Sequence, residues 1–181
     1  TKLGDLVEQF GEAGGFVASK ISTASSIVKD MNSVDCTKFV SFPADIMATG
    51  TRGLMKQIVE NNMADVVVTT CGTLDHDIAR TFRQYYHGSF DLDDALLGDV
   101  GLNRLGNVIV PNECYGEILE PIILPWLEEI EAERKEKNPE NPWLGFGSVE
   151  LCWAFGDRIQ DESSFLYLSL IHISEPTRRY R

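Results

Sequence analysis

The segment from Asp65 to Asp77, DVVVTTCGTLDHD, limits the possible folds of this chain more than any other. Its three consecutive valines form a β-branched run that is typical of a strand buried on both faces of a sheet. Small residues end the run, and Asp75, His76 and Asp77 lead into a helical pattern. Because ligands bind beyond the carboxyl ends of strands in an open α/β sheet, this segment predicts a binding site.

Short strands alternate with helices along the rest of the chain. The predicted strands are short, apolar and bounded by prolines or small residues: Thr37–Phe42, Val66–Thr70 and Val108–Val110. Helices are predicted where apolar residues recur at helical spacing: Leu3–Phe10, Phe16–Met31, Leu54–Asn62, Leu74–Tyr85, Ile118–Lys137 and Ser148–Phe155. This order predicts an α/β fold with a mostly parallel sheet flanked by helices, and these strands cannot complete such a sheet.

Several boundaries within this pattern depend on single residues. Ala44–Gly53 is rich in small residues and predicts a loop. The acidic segment Asp91–Asp99 is compatible with either a short helix or a solvated loop. In the long helix, Pro125 favours an N-terminal position, so we expect the helix to begin properly near it. Ser148 is the predicted cap of the following helix.

The charge of the chain restricts its partners. The 181 residues carry a net charge of -12 with a pI of about 4.6, which argues against nucleic acid as the main partner. An acidic surface favours the approach of a cation such as a polyamine or a basic protein. Acidity that serves solubility alone is the alternative.

Cysteine usage and hydropathy indicate the compartment. The four cysteines lie far apart without a CxxC pair, which suggests neither a zinc site nor a disulfide framework. The sequence has no apolar run that approaches 18 residues and does not open with a signal peptide. We therefore expect a cytoplasmic protein, or a piece of one, without a membrane segment or a bound metal.

The last fourteen residues differ from the rest of the chain. LSLIHISEPTRRYR turns basic within an acidic protein and shows no recognisable strand, helix or cap pattern. It resembles the translation of a sequencing adapter, so we assign residues 1–167 to one domain and 168–181 to a non-native tail. The alternative is a genuine basic tail.

Four segments together resemble the deoxyhypusine synthase family, most closely its archaeal members. They are EAGGF near Glu12, ADIMATGTRG at 44–53, NNMADVVVTTCGTLDHD at 61–77, and GLNRLGNVIVPNECY at 101–115. They occur in the order and at the spacing of the family. The similarity covers about Leu6–Tyr167, which corresponds to roughly the N-terminal half of a complete enzyme.

The resemblance implies a Rossmann-like domain that binds NAD and assembles as a homotetramer, with active sites between paired subunits. The family oxidises spermidine with NAD and passes its aminobutyl group to an enzyme lysine as an imine. The group then moves to one lysine of the translation factor precursor that carries hypusine. Hydride transfer makes an unreactive amine electrophilic, and a desolvated lysine can capture it.

The resemblance also assigns site residues. Two segments match the NAD-contacting loops of the family: Ala44, Asp45, Ile46, Met47 and Ala48 in the first, and Thr70, Cys71 and Gly72 in the second. Small residues there would let the backbone approach the cofactor closely. The segment TGTRG does not match the GxGxxG dinucleotide fingerprint, so this motif alone would not predict NAD. Read without the resemblance, Cys71 is a buried structural thiol rather than a nucleophile.

Asp75 and His76 match positions where many relatives carry a pair of glutamates that help to hold the polyamine. Asp75 keeps a carboxylate, which gains charge-assisted hydrogen bonds from a cationic amine. His76 departs from the pair, and one hypothesis is that it accepts a proton from an ammonium group. A surface or capping role is the alternative for His76, and Asp77 is expected to cap its own helix. Asn103, Arg104 and Asn107 are interpreted as structural residues of a turn, with a binding role as the alternative.

The nucleophilic lysine of the family matches no lysine of this chain, so the chain by itself is expected to be inactive. Two alternatives remain open. One is a homospermidine synthase-like enzyme, which would keep the NAD and polyamine chemistry but use a small amine as acceptor. The other is a non-catalytic paralogue that binds NAD weakly and regulates an active subunit.

Overall fold

The computed structural model describes residues 2–173, which form two compact units. Residues up to Lys38 make the first unit, in which helices α1 (Leu3–Ala13) and α2 (Ala18–Ser33) pack on each other. The turn between them begins at Gly14, whose φ of 65° lies in the left-handed region and whose N–H donates to the carbonyl of Phe10. The two predicted N-terminal helices are confirmed.

The second unit begins with a pair of parallel strands. β1 (Phe39–Phe42) and β2 (Val66–Thr69) are hydrogen-bonded neighbours in register, with Phe39 opposite Val66. Helices α3 (Asp45–Ala48) and α4 (Arg52–Glu60) connect them. The prediction of a loop over residues 44–53 is therefore wrong at residues 45–48, which form a helical turn.

The remaining elements follow β2 along the chain. They are α5 (Gly72–Phe82), β3 (Tyr86–His87), α6 (Asp94–Asp99), β4 (Leu102–Leu105), β5 (Val108–Pro111), a 3-10 turn (Asn112–Cys114), α7 (Gly116–Lys137), α8 (Ser148–Ile159) and α9 (Phe165–Ile173). The α/β class is confirmed. Within residues 2–173 no helix is both long and apolar enough to cross a membrane.

The third predicted strand does not extend a parallel sheet. β5 lies between β3 and β4 in a separate antiparallel sheet, and Leu105 pairs with Val108 across a two-residue turn. Gly106 opens that turn with a positive φ of 62°, which glycine adopts without steric cost. A parallel partner would need a long crossover instead. The prediction of one mostly parallel sheet is therefore wrong for β5.

The predicted burial of the β2 valines on both faces is also wrong in part. Val68 is 52% exposed, and Phe39 of the neighbouring strand is 64% exposed. Among the described residues the parallel sheet contains only β1 and β2. With two strands, part of each strand surface stays uncovered.

The structure decides the three helix boundaries that depended on single residues or were left open. Helix α7 begins at Gly116 rather than near Pro125. The prolines in its first turns remove backbone donors, but the apolar face of these turns packs against the core and stabilises the helix. The cap of α8 is Gly147, whose N–H donates to Glu150 Oε2 at 2.8 Å, so Ser148 is the first helical residue. Within Asp91–Asp99 a helix forms from Asp94.

The expected absence of regular structure after residue 167 is wrong for residues 168–173. These residues continue α9, and Leu168 is buried in the core at 4% exposure. Residues 174–181 lie outside the described part of the chain. The interpretation of 168–181 as a non-native tail stays a prediction.

Helix α9 joins the two apolar clusters of the second unit. One cluster contains Phe42, Met47, Met55, Val59, Phe165 and Leu168. The other contains Ile78, Ile130, Phe155, Ile159 and Leu166. Because successive residues of α9 enter different clusters, the position of this helix determines how both are packed.

Asp77 anchors α9 from a fully buried position. Its Oδ1 accepts from Arg52 Nε at 2.7 Å and from the N–H of Phe165 at 3.0 Å. Its Oδ2 accepts from the Ser164 hydroxyl at 2.7 Å and from the N–H of Leu166 at 2.9 Å. The predicted capping of its own helix is wrong, since Asp77 lies inside α5 and caps α9 instead.

Replacement of Asp77 by asparagine tests this anchor. Asp77→Asn leaves Arg52 without its counter-ion and places an amide against several donors, so the free energy of unfolding should fall by about 3–5 kcal/mol. Denaturant unfolding measures the change. Asp94→Asn removes a carboxylate that is 69% exposed and paired with Arg104, and should unfold close to wild type. Equal stability of both variants would contradict the anchoring role.

Candidate functional site

The two predicted cofactor loops meet where β1 and β2 end. The N–H of Ala44 donates to Thr70 Oγ1 at 3.1 Å. A Cβ added to Gly72 would lie 2.9 Å from the Cβ of Ala44, so only glycine fits this approach. The parallel pairing of the strands thus brings both segments to one edge of the sheet.

A threonine network holds the second loop. The Thr69 hydroxyl donates to the Phe42 carbonyl at 2.8 Å and lies 2.6 Å from the Thr73 hydroxyl. Thr73 is fully buried. The strand end and the first turn of α5 are therefore tied together before any ligand binds.

The residues of the two loops differ in what they present. The side chains of Met47 and Ala48 are buried at 0% and 1% exposure, and the Met47 carbonyl accepts from Arg80. These two predicted cofactor residues therefore present almost no surface to a ligand in this structure. Asp45, Thr70 and Cys71 are exposed. The interpretation of Cys71 as a buried thiol is wrong, because it caps the start of α5 at the surface.

His76 lies within α5 and is held between two tyrosines. Its Nδ1 is 2.8 Å from the Tyr85 hydroxyl, and the two rings are nearly perpendicular with centroids 5.8 Å apart. On its other side the imidazole stacks on Tyr115, with a centroid distance of 4.8 Å and an interplanar angle of 27°. This partly buried aromatic setting is not the surface or capping role considered for an isolated histidine.

Asp75 joins the same cluster. The Tyr115 hydroxyl donates to Asp75 Oδ2 over 3.4 Å, and Arg80 lies 5.4 Å from the centre of the Tyr85 ring. The structure therefore brings together the two predicted polyamine residues. It adds Tyr85 and Tyr115, which sequence reasoning did not select.

Burial controls the protonation states of this cluster. It lowers the pKa of His76 below the ordinary 6.5; the Asp75 carboxylate opposes this shift and Arg80 adds to it. Burial also raises the pKa of Tyr85, and the pKa of Tyr115 is raised by burial and by Asp75. At neutral pH the site thus presents a neutral imidazole between two protonated phenols.

A cleft of about 660 Å³ opens beside His76. Its lining combines carboxylate, amide, imidazole and phenol side chains with apolar residues: His76, Asn103, Leu105, Val110, Asn112, Tyr115, Gly116, Glu117 and Glu120. Glu117 and Glu120 are spaced i, i+3, which places them on one face of α7. That spacing is the sequence signal that could have identified them. An acidic cleft with amide acceptors is suited to a cationic amine.

The turn residues of the antiparallel sheet have separate roles. Asn103 donates to the Val110 carbonyl at 3.1 Å and to Asn112 Oδ1 at 2.7 Å while it lines the cleft. Arg104 forms an ion pair with Asp94, and Asn107 lies in the hairpin turn. The structural interpretation is confirmed for Arg104 and Asn107, whereas Asn103 is both structural and part of the cleft wall.

Known proteins resemble this chain in both sequence and structure. The model of the deoxyhypusine synthase family matches residues 5–172. Proteins named "Probable deoxyhypusine synthase" are 50% identical in Picrophilus torridus and 51% identical in Thermoplasma acidophilum, each over 167 residues. Each alignment covers 92% of this chain and 51% of the relative. The chain therefore spans about half the length of these relatives.

A similar fold occurs in a crystal structure from Entamoeba histolytica that is described as that of a deoxyhypusine synthase. The TM-score is 0.57 at 18% sequence identity, over 95% of this chain and 58% of the other. At this identity the likeness concerns the fold alone.

The charges around His76 predict two opposite shifts of its pKa. Asp75→Asn removes the anion that favours imidazolium and should lower the pKa further below 6.5, whereas Arg80→Gln removes a cation and should raise it. Titration of the His76 ring signals by NMR measures both. Shifts of the same sign in the two variants would contradict this electrostatic account.

Proposed function

The chain belongs to the deoxyhypusine synthase family, and we propose that it forms the N-terminal part of an NAD-dependent aminobutyl transferase. The donor is spermidine, and the acceptor is one lysine of the hypusine-carrying translation factor precursor. The observation that carries this proposal is the acidic cleft beside His76, which adjoins the helix that begins at the paired loops.

The cleft accounts for recognition of the polyamine. Glu117 and Glu120 supply negative charge along one wall, and Asn112 supplies an amide oxygen as acceptor. Ammonium groups of spermidine would exchange water for charge-assisted hydrogen bonds with these oxygens. Asp75 does not line the cleft but accepts a hydrogen bond from Tyr115, which does, so its charge adds to the negative potential near this wall.

The paired loops suit NAD. The close approach of Gly72 and Ala44 leaves no room for side-chain bulk where the strands end. Helix α5 begins there, so the positive end of its dipole favours an anionic pyrophosphate. When bound, NAD supplies a hydride acceptor for the amine carbon. A complete Rossmann-like sheet, which would extend β1 and β2, belongs to this proposal.

His76 provides a proton acceptor for the donor amine. An ammonium group cannot release hydride from its neighbouring carbon until it has lost a proton, because the nitrogen lone pair must assist. Burial keeps the imidazole of His76 neutral, so it can take that proton at Nε2. Asp75 then stabilises the imidazolium that forms.

The remaining parts of the proposal concern the whole protein. Its negative charge favours approach of a basic translation factor. We further propose a cytoplasmic homotetramer whose nucleophilic lysine lies outside the residues of this chain. On this basis the chain alone does not complete the transfer.

The direct test uses the protein encoded by the complete reading frame. Incubation with NAD, spermidine and the factor precursor should give deoxyhypusine on one lysine, detected by mass spectrometry. Product only with a small-amine acceptor would support the homospermidine synthase-like alternative and contradict the proposal. No transfer by the folded protein would contradict it as well.

Neutralisation of the cleft tests polyamine binding. The double variant Glu117→Gln with Glu120→Gln should raise the KM for spermidine roughly 5-fold or more with a smaller effect on kcat, since exposed ion pairs contribute modestly. Steady-state kinetics measure the change. The matched control is the double variant Glu128→Gln with Glu136→Gln, which removes the same two charges from exposed positions of α7 outside the cleft wall. An equal rise in the control would indicate general charge rather than the cleft.

Gly72→Ala tests the cofactor loops. The new methyl group would press on Ala44, separate the loops and raise the Kd for NAD about 10-fold, which corresponds to about 1.4 kcal/mol. Isothermal titration calorimetry measures the affinity. Gly53→Ala serves as the control, because nothing lies within 4 Å of the added Cβ. The affinity of this variant for NAD should be unchanged. Unchanged affinity in Gly72→Ala would exclude these loops as the cofactor site.

A further inference from the structure

Tyr85 occupies a position that the transfer reaction does not yet explain. It follows the end of α5, and the chain turns back so that its hydroxyl lies 2.8 Å from Nδ1 of His76 on the same helix. This contact occupies Nδ1. Nε2 is therefore the ring nitrogen left for a ligand in the acidic cleft, which His76 lines.

Two rings restrict the orientation of the imidazole. Tyr115 stacks on one face of His76 at 4.8 Å, and Tyr85 meets it nearly perpendicularly at an interplanar angle of 86°. Rotation of the imidazole by half a turn would move Nδ1 away from the Tyr85 hydroxyl and break the hydrogen bond. The packed rings and the hydrogen bond thus select one orientation.

The surroundings of Tyr85 allow its oxygen to act as the acceptor in this hydrogen bond. Tyr85 also lines a second cleft of about 440 Å³, together with Arg52, Arg80, Arg83 and Ser163. Water in that cleft can accept the phenolic proton, which leaves an oxygen lone pair for the imidazole N–H. Burial lowers the pKa of His76, and the positive charge of Arg80 beside the Tyr85 ring adds to this shift, so a neutral imidazole is the resting form.

We propose that Tyr85 is a positioning residue that holds neutral His76 as the Nδ1–H tautomer, with Nε2 as the base that faces the donor amine. This inference rests on the proposed function, because it makes Nε2 of His76 the atom that accepts the proton of the polyamine. Tyr85 itself touches neither substrate nor cofactor. Without the acceptor oxygen of Tyr85, the Nε2–H tautomer of His76 would compete with the Nδ1–H tautomer. The Nε2–H form cannot take a proton at Nε2.

The same geometry predicts how loss of the Tyr85 hydroxyl changes the protonation of His76. The imidazolium form donates from both nitrogens, so loss of the Tyr85 oxygen removes one stabilising acceptor and makes His76 a weaker base. The charged groups that face the imidazole are Asp75 and Arg80 on its own helix and Glu117 and Glu120 across the cleft; Tyr85 and Tyr115 are the titratable phenols. All except the Tyr85 hydroxyl remain in Tyr85→Phe.

The test compares Tyr85→Phe with Tyr86→Phe in the protein encoded by the complete reading frame. Tyr85→Phe should lower kcat roughly 10-fold or more, leave the KM for spermidine within about 2-fold, and move the acidic limb of the pH profile to lower pH. Tyr86 is 55% exposed and outside both clefts, so its variant should match wild type. If Tyr85→Phe had the same kcat and the same pH profile as the wild type, the inference would be overturned. An inactive wild-type protein would instead contradict the proposed function.

A second measurement reads the tautomer of His76 in the wild-type protein itself. Selective 15N labelling of histidine, with the His76 signal assigned through His76→Gln, reports which nitrogen carries the proton. Protonated Nδ1 with unprotonated Nε2 at neutral pH is the expected result. The reverse tautomer in the wild-type protein would overturn the inference, whatever the variants do.

Discussion

The buried carboxylate of Asp77 is the interaction on which the rest of the second unit depends. A charge at 0% exposure is tolerated only when it is paired and hydrogen-bonded, and Asp77 meets that condition through Arg52 and the N-terminus of α9. One side chain thus connects α4, α5 and α9. The two apolar clusters pack on the helices that it joins.

The same constraint orients the candidate site. Successive residues of an α-helix point about 100° apart, so an inward Asp77 directs Asp75 and His76 toward other faces of α5. There they meet Tyr115 and Tyr85 rather than the core. A change that rotated α5 would lose the buried ion pair and the site geometry together. Stability and chemistry are therefore coupled through one helix.

The two parts of the site use different physical means. The paired loops rely on small residues and backbone, because Gly72 and Ala44 approach too closely for any larger side chain. The cluster around His76 relies on aromatic packing and partial burial, which set the protonation of the imidazole. The proposed reaction needs both, since a hydride acceptor and a proton acceptor must act on one amine.

The sequence by itself determined the elements whose signals are local. The valine run of β2, the helical periodicity of α5 and the matched segments at 44–48 and 70–72 predicted two adjacent loops, and the structure brings them together. Only the tertiary structure decided the antiparallel pairing of β5, the partner of Asp77 almost 90 residues away, and the contacts of His76 with Tyr85 and Tyr115. Periodicity and turn chemistry act over a few residues, whereas these contacts depend on how distant segments pack.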